Sequence, residues 1–555
     1  MRRAAILRAP MPPLRTDFET GRPVTMAPRG MVVSPHALAS QAGIEALQAG
    51  GSAVDAAIAA SATLAVVYPH MTSVGGDAFW LIYDAQHDQV RYLDGAGRAA
   101  AGASIGWFHA RGLSEIPYRG MLPGTLTVPG AVASWSAAHA AYGRIPFARA
   151  LGRSIELAQD GFPVTERLAK CIAAMLTQGT LDDTARAIFA PGGGAPRPGA
   201  LLANPDLART LKAIAAEGRE GFYAGAVGRE LVRFSKANDG FFDAADLAAQ
   251  TATWGEPIAS TYRGVTIYET PAPTQGFTVL EMLNLLEGFD PRGWDFLGPE
   301  HVHHLVQAKQ LAYHDRDTLL ADPAYARVPM ERLISKAYAE ERRRLIDPRR
   351  ALAWDKVPSY GTLRGDTVFV GAVDAEGNAA SLIQSLYGFF GAGVVAGRTG
   401  VVLQNRSAYF ALDPDHPNRL EAGKKPSHTL IASLAFRDRK LWQVLGCMGA
   451  DGQPQIHLQA YVGLIDFGLN AQQAVEAPRW LSGRFGLDDA RDLLNIEGRF
   501  APATLAELER RGHRVHRWPD RDELAGHAHC ITIDPESGLR LGGADPRSDG
   551  AAIGY

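Results

Sequence analysis

The sequence predicts an α+β protein, and three features predict it. Two alanine-rich stretches near the start, 36–48 and 53–66, carry apolar residues at helical spacing. An apolar strand, a polar turn and a second apolar strand follow one another over 367–386 and read as a hairpin. Across 105–345, helical stretches alternate with Gly- and Pro-rich turns. The 555 residues are 46% hydrophobic and 21% charged, ordinary globular usage with apolar material for a sizeable core.

In chain order, a loose arm is expected over 1–28, and ordered structure from Gly30, with Met31–Val33 a short strand that Ser34-Pro35 closes. His36 to Gln48 reads as a helix with Leu38, Ile44 and Leu47 on one side, stopped by Gly50-Gly51. Ser52 is the expected N-cap of a second helix, Ala53 to Val66, and the alanines let both helices lie close to a sheet. Ser73-Val74-Gly75-Gly76-Asp77 leads into a strand from Ala78 to Tyr83. Residues 191–199 (PGGGAPRPG) form an exposed loop, and His301 to Leu320 a long helix.

The segment Gly361–Asp366 (GTLRGD) is polar and expected to be flexible. It runs into Thr367–Val373, apolar on both faces and therefore a central strand covered on both sides. Asp374–Asn378 turns the chain into a second strand, Ala379–Leu386. A strand (Leu441–Leu445), a helix (Leu458–Ile465) and the tail GGADPRSDGAAIGY complete the chain.

Lys and Arg number 56 against 59 Asp and Glu, a net charge of -3, so no bulk field favours nucleic acid or an anionic membrane. Cys171, Cys447 and Cys530 are far apart, odd in number and form no CxxC pair, which suits a reducing compartment. Arg8 and Pro10 interrupt the apolar stretch after Arg2-Arg3 before a signal-peptide core is complete, and no apolar run is long enough to span a membrane. A cytoplasmic protein is the expectation.

Thr367 stands where a loop meets a strand. A threonine hydroxyl needs a base, and cleavage between Asp366 and Thr367 would free an α-amine on the same residue, with an unperturbed pKa of about 7.7–8.0. Gly365-Asp366-Thr367 has that layout, as do many plain strand starts.

In order along the chain stand GGSAVDAAIAA (50–60), VVYPH (66–70), VGGDAFWLIYD (74–84), LTVPGAV (126–132) and LEMLNLL (280–286). LAYHDRDTLLADP (311–323), DTVFVGAVDAEGNAASLIQSL (366–386), LNAQQAVEAPRW (469–480) and ADPRS (544–548) follow. Through these stretches the chain resembles the γ-glutamyltranspeptidase family along most of its length. The resemblance implies a four-layer αββα sandwich of the N-terminal nucleophile hydrolase type. It also implies a precursor that cuts itself into a large subunit, 29–366 behind the arm, and a small subunit, 367–555. Thr367 would be nucleophile and, through its α-amine, base. Ser385 aligns with a hydroxyl residue that bonds the nucleophile, Gly449-Ala450 with two oxyanion-binding amides, and Arg98 lies near the arginine that grips a substrate carboxylate. Ala450 replaces a glycine, which matters if that residue needs positive φ.

Family positions that hold an α-amino group fall here on Tyr387, Arg406 and Tyr409, and a serine pair becomes His428-Thr429. With no acid there, Arg98 and Arg406 suit a small anionic acyl group. Together with QNR (404–406), GADGQPQ and DPRSDGAAIGY, this resembles the oxamate amidohydrolase branch. The implied function is hydrolysis of a linear amide of an oxamate-like substrate, part of purine-nitrogen use, with no metal or cofactor. A γ-glutamyl or β-lactam side-chain acylase or transferase, and an inactive small-acid binding protein, are the alternatives. A homo-oligomer of heterodimers is compatible with either enzyme.

Three other patterns are weighed and set aside. Gly102-Ala103-Ser104-Ile105-Gly106 matches G-x-S-x-G without an apolar strand before it. His301, His303, His304 and His314 with Asp315 lack a metal-binding motif and are expected to face solvent. Gly391-Ala392-Gly393 with Gly397 follows no βαβ unit.

Overall fold

The computed structural model describes residues 19–353, 366–485 and 490–555. Of the expected flexible segment GTLRGD only Asp366 is among them; 361–365 lie outside the described residues, as do 1–18 of the expected arm.

Two seven-stranded sheets dominate. Their strands, in chain order, are β1 (Thr25–Ala27), β2 (Met31–Ser34), β3 (Asp77–Asp84), β4 (Gln89–Gly95), β5 (Thr253–Gly255), β6 (Ile258–Tyr262) and β7 (Val265–Glu269). After the junction come β8 (Asp366–Val373), β9 (Ala379–Tyr387), β10 (Ser433–Arg437), β11 (Lys440–Met448), β12 (His527–Ile533), β13 (Arg540–Ala544) and β14 (Ala551–Gly554). One sheet runs β14-β2-β8-β9-β3-β4-β5, the other β1-β13-β12-β11-β10-β7-β6, and neighbouring strands are antiparallel throughout.

Helices cover the outer face of each sheet. On one side lie α1 (Ala37–Gln48) and α2 (Ala53–Val67), and on the other α4 (Phe277–Leu286), α5 (Pro299–Leu319) and α6 (Gln453–Asp466); α3 (Glu166–Thr177) belongs to the first side. The order is helix, sheet, sheet, helix, with three cores between the layers. The alternation of side chains along a strand divides β8 between two of them: Val368, Val370 and Ala372 pack with α2, while Phe369 and Val373 face the second sheet. A strand sandwiched this way reads as continuously apolar, as β8 does. The two sheets meet closely at Gly446, where a Cβ would lie 2.1 Å from the Phe369 ring, so only glycine admits that ring.

Local chemistry explains the ends of the helices. Ser52 caps α2 in a reciprocal box with Asp55, whose Oδ2 accepts from the Ser52 amide at 2.8 Å. Gly50, with φ of 88°, makes the turn between α1 and α2. The tail motif ADPRS is an internal ionic clasp: Arg547 donates to Glu497 at 2.7 Å and to Asp545 at 3.0 Å, and Arg479 reaches Asp545 at 2.6 Å. All four side chains are buried.

Two expectations are corrected. The arm does not extend to residue 28, because Thr25–Ala27 pairs with Arg540–Gly542 as an edge strand. The helix histidines do not face solvent: His301, His303 and His304 are buried, and only His314 is half-exposed. His303 is held by His513 and the Asp347 carbonyl, each at 2.8 Å, and His304 by the Glu300 carbonyl at 2.7 Å. His301 Nδ1 accepts from the Leu297 amide at 3.1 Å, while its Nε2 has no hydrogen-bond partner among the described residues; the rings of His301 and His304 pack on Phe296, Trp294 and Phe289.

Burial holds many imidazoles neutral. It lowers His36 and His529 to about 4, and His70 and His527 well below the ordinary value. The unfolded chain, with histidines near 6.5, therefore takes up protons first as acid is added. The stability these groups contribute is complete above pH ~6.5 and is lost as pH falls towards 4. A group with a folded value near 4 costs about 2 kcal/mol at pH 5. Thermal unfolding of an uncut Thr367→Ala chain should show a Tm that falls steadily from pH 7.5 to pH 5, faster than a protein with exposed histidines.

Candidate active site

The junction lies on a fault in the sheet. Asp366 pairs with Tyr387 but Val368 pairs with Gln384, so β9 holds one extra residue opposite Thr367. The bulge turns Tyr387 to φ of 81° and brings the Ser385 hydroxyl to the junction. Such a backbone is costly for a side-chain-bearing residue and is held by its surroundings. Here the Tyr387 amide donates to Ser385 Oγ at 2.7 Å, and the Ser385 hydroxyl donates to the Asp366 carbonyl. Thr367 Oγ1 lies 3.3 Å from Ser385 Oγ and 3.4 Å from Gln453 Nε2. Both Asp366 and Thr367 are buried.

Arg406 sits over this row. Its guanidinium donates to Ser385 Oγ at 3.4 Å and Thr429 Oγ1 at 3.1 Å and lies 4.3 Å from the centre of the Tyr387 ring. Arg406 is 0% exposed, and among the described residues no carboxylate comes within ion-pair distance of it. Burial accordingly pulls its pKa down. Among the described residues its Nε has no hydrogen-bond partner, and neither do the Tyr387 hydroxyl and His428 Nδ1, all of them buried. The Tyr387 and Tyr409 rings meet edge to face at 5.6 Å.

The glycine-rich turn after β11 closes the site. Ala450 has φ of 49°, so the residue that replaces glycine does adopt the left-handed conformation. The cost is borne by bracing. The Ala450 carbonyl accepts from Gln275 Nε2 at 3.1 Å, and Asp451 Oδ1 accepts from Tyr409 at 3.2 Å and Arg316 at 2.5 Å. Tyr313 donates to the Asp451 carbonyl. Among the described residues, neither the Gly449 nor the Ala450 amide donates to a backbone carbonyl outside the regular elements. Buried amides of that kind are receptive to an oxyanion.

The structure thus gathers Thr367, Ser385, Tyr387, Arg406, Tyr409, Thr429 and, beside them, His428. The Arg98 guanidinium donates to the Gly423 carbonyl at 3.2 Å, and the amide of its neighbour Gly97 donates to Asp77 Oδ1 at 2.9 Å. Ser104 of the G-x-S-x-G match is an ordinary cap, accepting from the Trp107 amide at 3.2 Å.

One residue is new to the site. Asp77 stands directly across from Ser385 in the β9–β3 ladder, so its side chain shares the face that carries Ser385. Oδ1 accepts from the Gly97 and Gly130 amides and Gln404, at 2.9, 3.1 and 3.0 Å, while Oδ2 lies 3.5 Å from His428 Nε2. Burial pushes the carboxyl up to about 7 against the opposing pull of Arg406. The pocket therefore is not without an acid, as the sequence suggests. Gln275, Arg316, Asp451 and Gln453 also escape the sequence reading, although the last three lie inside motifs that carry the family resemblance.

The gamma-glutamyltranspeptidase family profile matches residues 39–555. The glutathione hydrolase-like YwrD proenzyme of Bacillus subtilis is 41% identical over 94% of this chain and 98% of its own length. The oxamate amidohydrolase proenzyme of Klebsiella pneumoniae is 38% identical over 95% and 98%. The crystal structure of cephalosporin acylase from Bacillus halodurans superposes with a TM-score of 0.90 at 36% identity, covering 99% of both chains. An antiparallel helix–sheet–sheet–helix fold, a family profile over nearly the whole sequence and relatives that are proenzymes of amide-cleaving enzymes lead to one statement: this chain belongs to the γ-glutamyltranspeptidase family of N-terminal nucleophile hydrolases acting on amide bonds.

Proposed function

We propose that the chain cuts itself between Asp366 and Thr367 and then hydrolyses the amide of a small anionic acid of the oxamate type, using Thr367 as nucleophile. The supporting observation is Arg406: a fully buried guanidinium whose hydrogen bonds, among the described residues, go to two hydroxyls, one of which touches Thr367. An uncompensated buried charge costs several kcal/mol, so a substrate carboxylate is its natural partner. Because a single hydroxyl separates Arg406 from Thr367, the acyl group between them is short.

In the precursor, the Thr367 hydroxyl attacks the Asp366 carbonyl carbon, whose oxygen Ser385 already polarises. The peptide C–N bond breaks, the nitrogen becomes the α-amine of Thr367, and water hydrolyses the ester. In the mature enzyme that amine takes the hydroxyl proton as Thr367 attacks the substrate amide. The Gly449 and Ala450 amides receive the oxyanion. The amine leaves with the proton, and water releases the acid from the acyl-enzyme. The 38% identical oxamate amidohydrolase relative supports this substrate class.

Asp77 favours a second reading. Acting with Arg406 it would offer opposite charges to an amino acid head group, as a γ-glutamyl substrate needs, and a glutathione hydrolase-like relative is 41% identical.

Three outcomes are expected. Intact-mass analysis should find wild type split after Asp366, and Thr367→Ala whole after prolonged incubation; an uncut wild type would remove the mechanism. Arg406→Met in processed enzyme should lower kcat/KM for oxamate about 100-fold, the worth of a charge-assisted pair of about 3 kcal/mol, with Arg406→Lys between. An ionised Asp77 opposes an anion beside Arg406, so KM for oxamate should rise as pH increases through 7, up to about tenfold by pH 8.5, and stay level in Asp77→Asn.

A further inference from the structure

In the proposed reaction the carbonyl oxygen has its donors, but the nucleophile needs one too. Once Thr367 Oγ1 carries an acyl group, water frees that group only if Oγ1 departs, and a departing alkoxide calls for a donor just as an oxyanion does. Ser385 is not that donor in this arrangement, because its hydroxyl donates to the Asp366 carbonyl and receives the Thr367 hydroxyl.

Gln453 is placed for the task. It is the first residue of α6, fully buried, and its Nε2 donates to Thr367 Oγ1 at 3.4 Å. The far end of the amide fixes which atom faces the threonine. Oε1 accepts from the Ile431 backbone amide at 3.1 Å, and a backbone N–H can only donate, so the atom it meets is oxygen and the NH2 is turned to Thr367. Ile431 stands two residues after Thr429, whose hydroxyl receives Arg406, so one segment anchors both the guanidinium and the glutamine. Gln453 also follows the turn at 449–452 directly, and its backbone nitrogen lies 3.6 Å from where a Cβ on Gly449 would stand. The turn that offers amides to the carbonyl oxygen thus carries, one residue on, a donor to the other oxygen of the same tetrahedral carbon.

We infer that Gln453 is a catalytic residue that receives Oγ1 as it leaves, in the second half of each acyl transfer. The inference rests on the reading of Thr367 as nucleophile, and not on the identity of the acyl group. In self-cleavage, Oγ1 first bonds the Asp366 carbonyl carbon, the C–N bond breaks, and the nitrogen takes the hydroxyl proton to become the α-amine. The product is an ester of Asp366 with the threonine oxygen. Water then bonds the same carbon and gives a proton to the α-amine. The C–Oγ1 bond breaks, its electron pair goes to Oγ1, and the amine passes the proton on. Gln453 holds Oγ1 while that charge is present. A donor on its lone pair does nothing for Oγ1 as a nucleophile, so ester hydrolysis needs Gln453 and ester formation does not.

The test follows self-cleavage with and without hydroxylamine, which cuts an ester between Asp366 and Thr367 and leaves a peptide bond whole. Wild type, Gln453→Met and Gln453→Glu are compared, with Thr367→Ala as the chain that forms no ester. Methionine keeps the volume. Glutamate, as a carboxylate, keeps an oxygen for the Ile431 amide while offering Thr367 no hydrogen, and it stands in if the methionine chain does not fold. Both variants are expected to stay whole at least tenfold longer than wild type, with most of the whole chain split at 366/367 once hydroxylamine is added. Variants that cleave as fast as wild type overturn the role. So do folded variants that stay whole and resist hydroxylamine, because the loss then lies in ester formation, as a merely structural glutamine would produce. Failure of the nucleophile reading has its own signature, a wild type that stays whole under both conditions.

Discussion

The site depends on the Ser385 hydroxyl being held in one place. It receives the Tyr387 amide, lies within reach of Arg406 and Thr367, and donates to the Asp366 carbonyl. That geometry exists because β9 bulges by one residue, and the bulge persists because both faces of β8 and β9 are buried between cores. A slip of one residue would send Val368, Val370 and Ala372 to the wrong layer, and every such transfer forfeits an apolar contact on both sides. The sandwich therefore fixes the register, the register fixes the bulge, and the bulge aims the hydroxyl.

The second dependence is charge. Arg406 is enclosed with hydroxyls and rings, and Asp77, across the ladder from Ser385, is the acid that moderates it. The set of partners is unfinished: among the described residues Arg406 Nε, the Tyr387 hydroxyl and His428 Nδ1 are enclosed without a hydrogen-bond partner. The opposite face of the site is the reverse case. Gln275, Tyr313 and Arg316 brace the turn at 449–452, where Ala450 occupies a left-handed backbone.

Much of this was legible in the sequence where structure is local. The N-cap at Ser52, the turn at Gly50, the hairpin from β8 to β9 and the doubly apolar strand behind Thr367 follow from residue type and period alone. Asp77 was not legible as a site residue, because VGGDAFW reads as a turn entering a strand and only the pairing with Ser385 moves it to the junction. The helix histidines misled for a related reason. Their helix carries polar residues all round, which by periodicity means solvent, but backbone carbonyls and aromatic faces of other segments supply their partners.

The interleaving of the sheets has its own consequence. β2 lies between β14 and β8, and β1 and β7 flank strands from the far end of the chain, so segments from before and after the junction alternate within both layers. While the chain is whole, each of these pairings closes a loop at a modest entropic cost. Once it is cut, the same pairings join two molecules, and reassembly from unfolded fragments becomes a second-order search between pieces neither of which owns a complete sheet. Folding has to come first and cutting second. The finished enzyme then keeps its shape by the slowness of its unfolding, with no direct route back to it once that shape is lost.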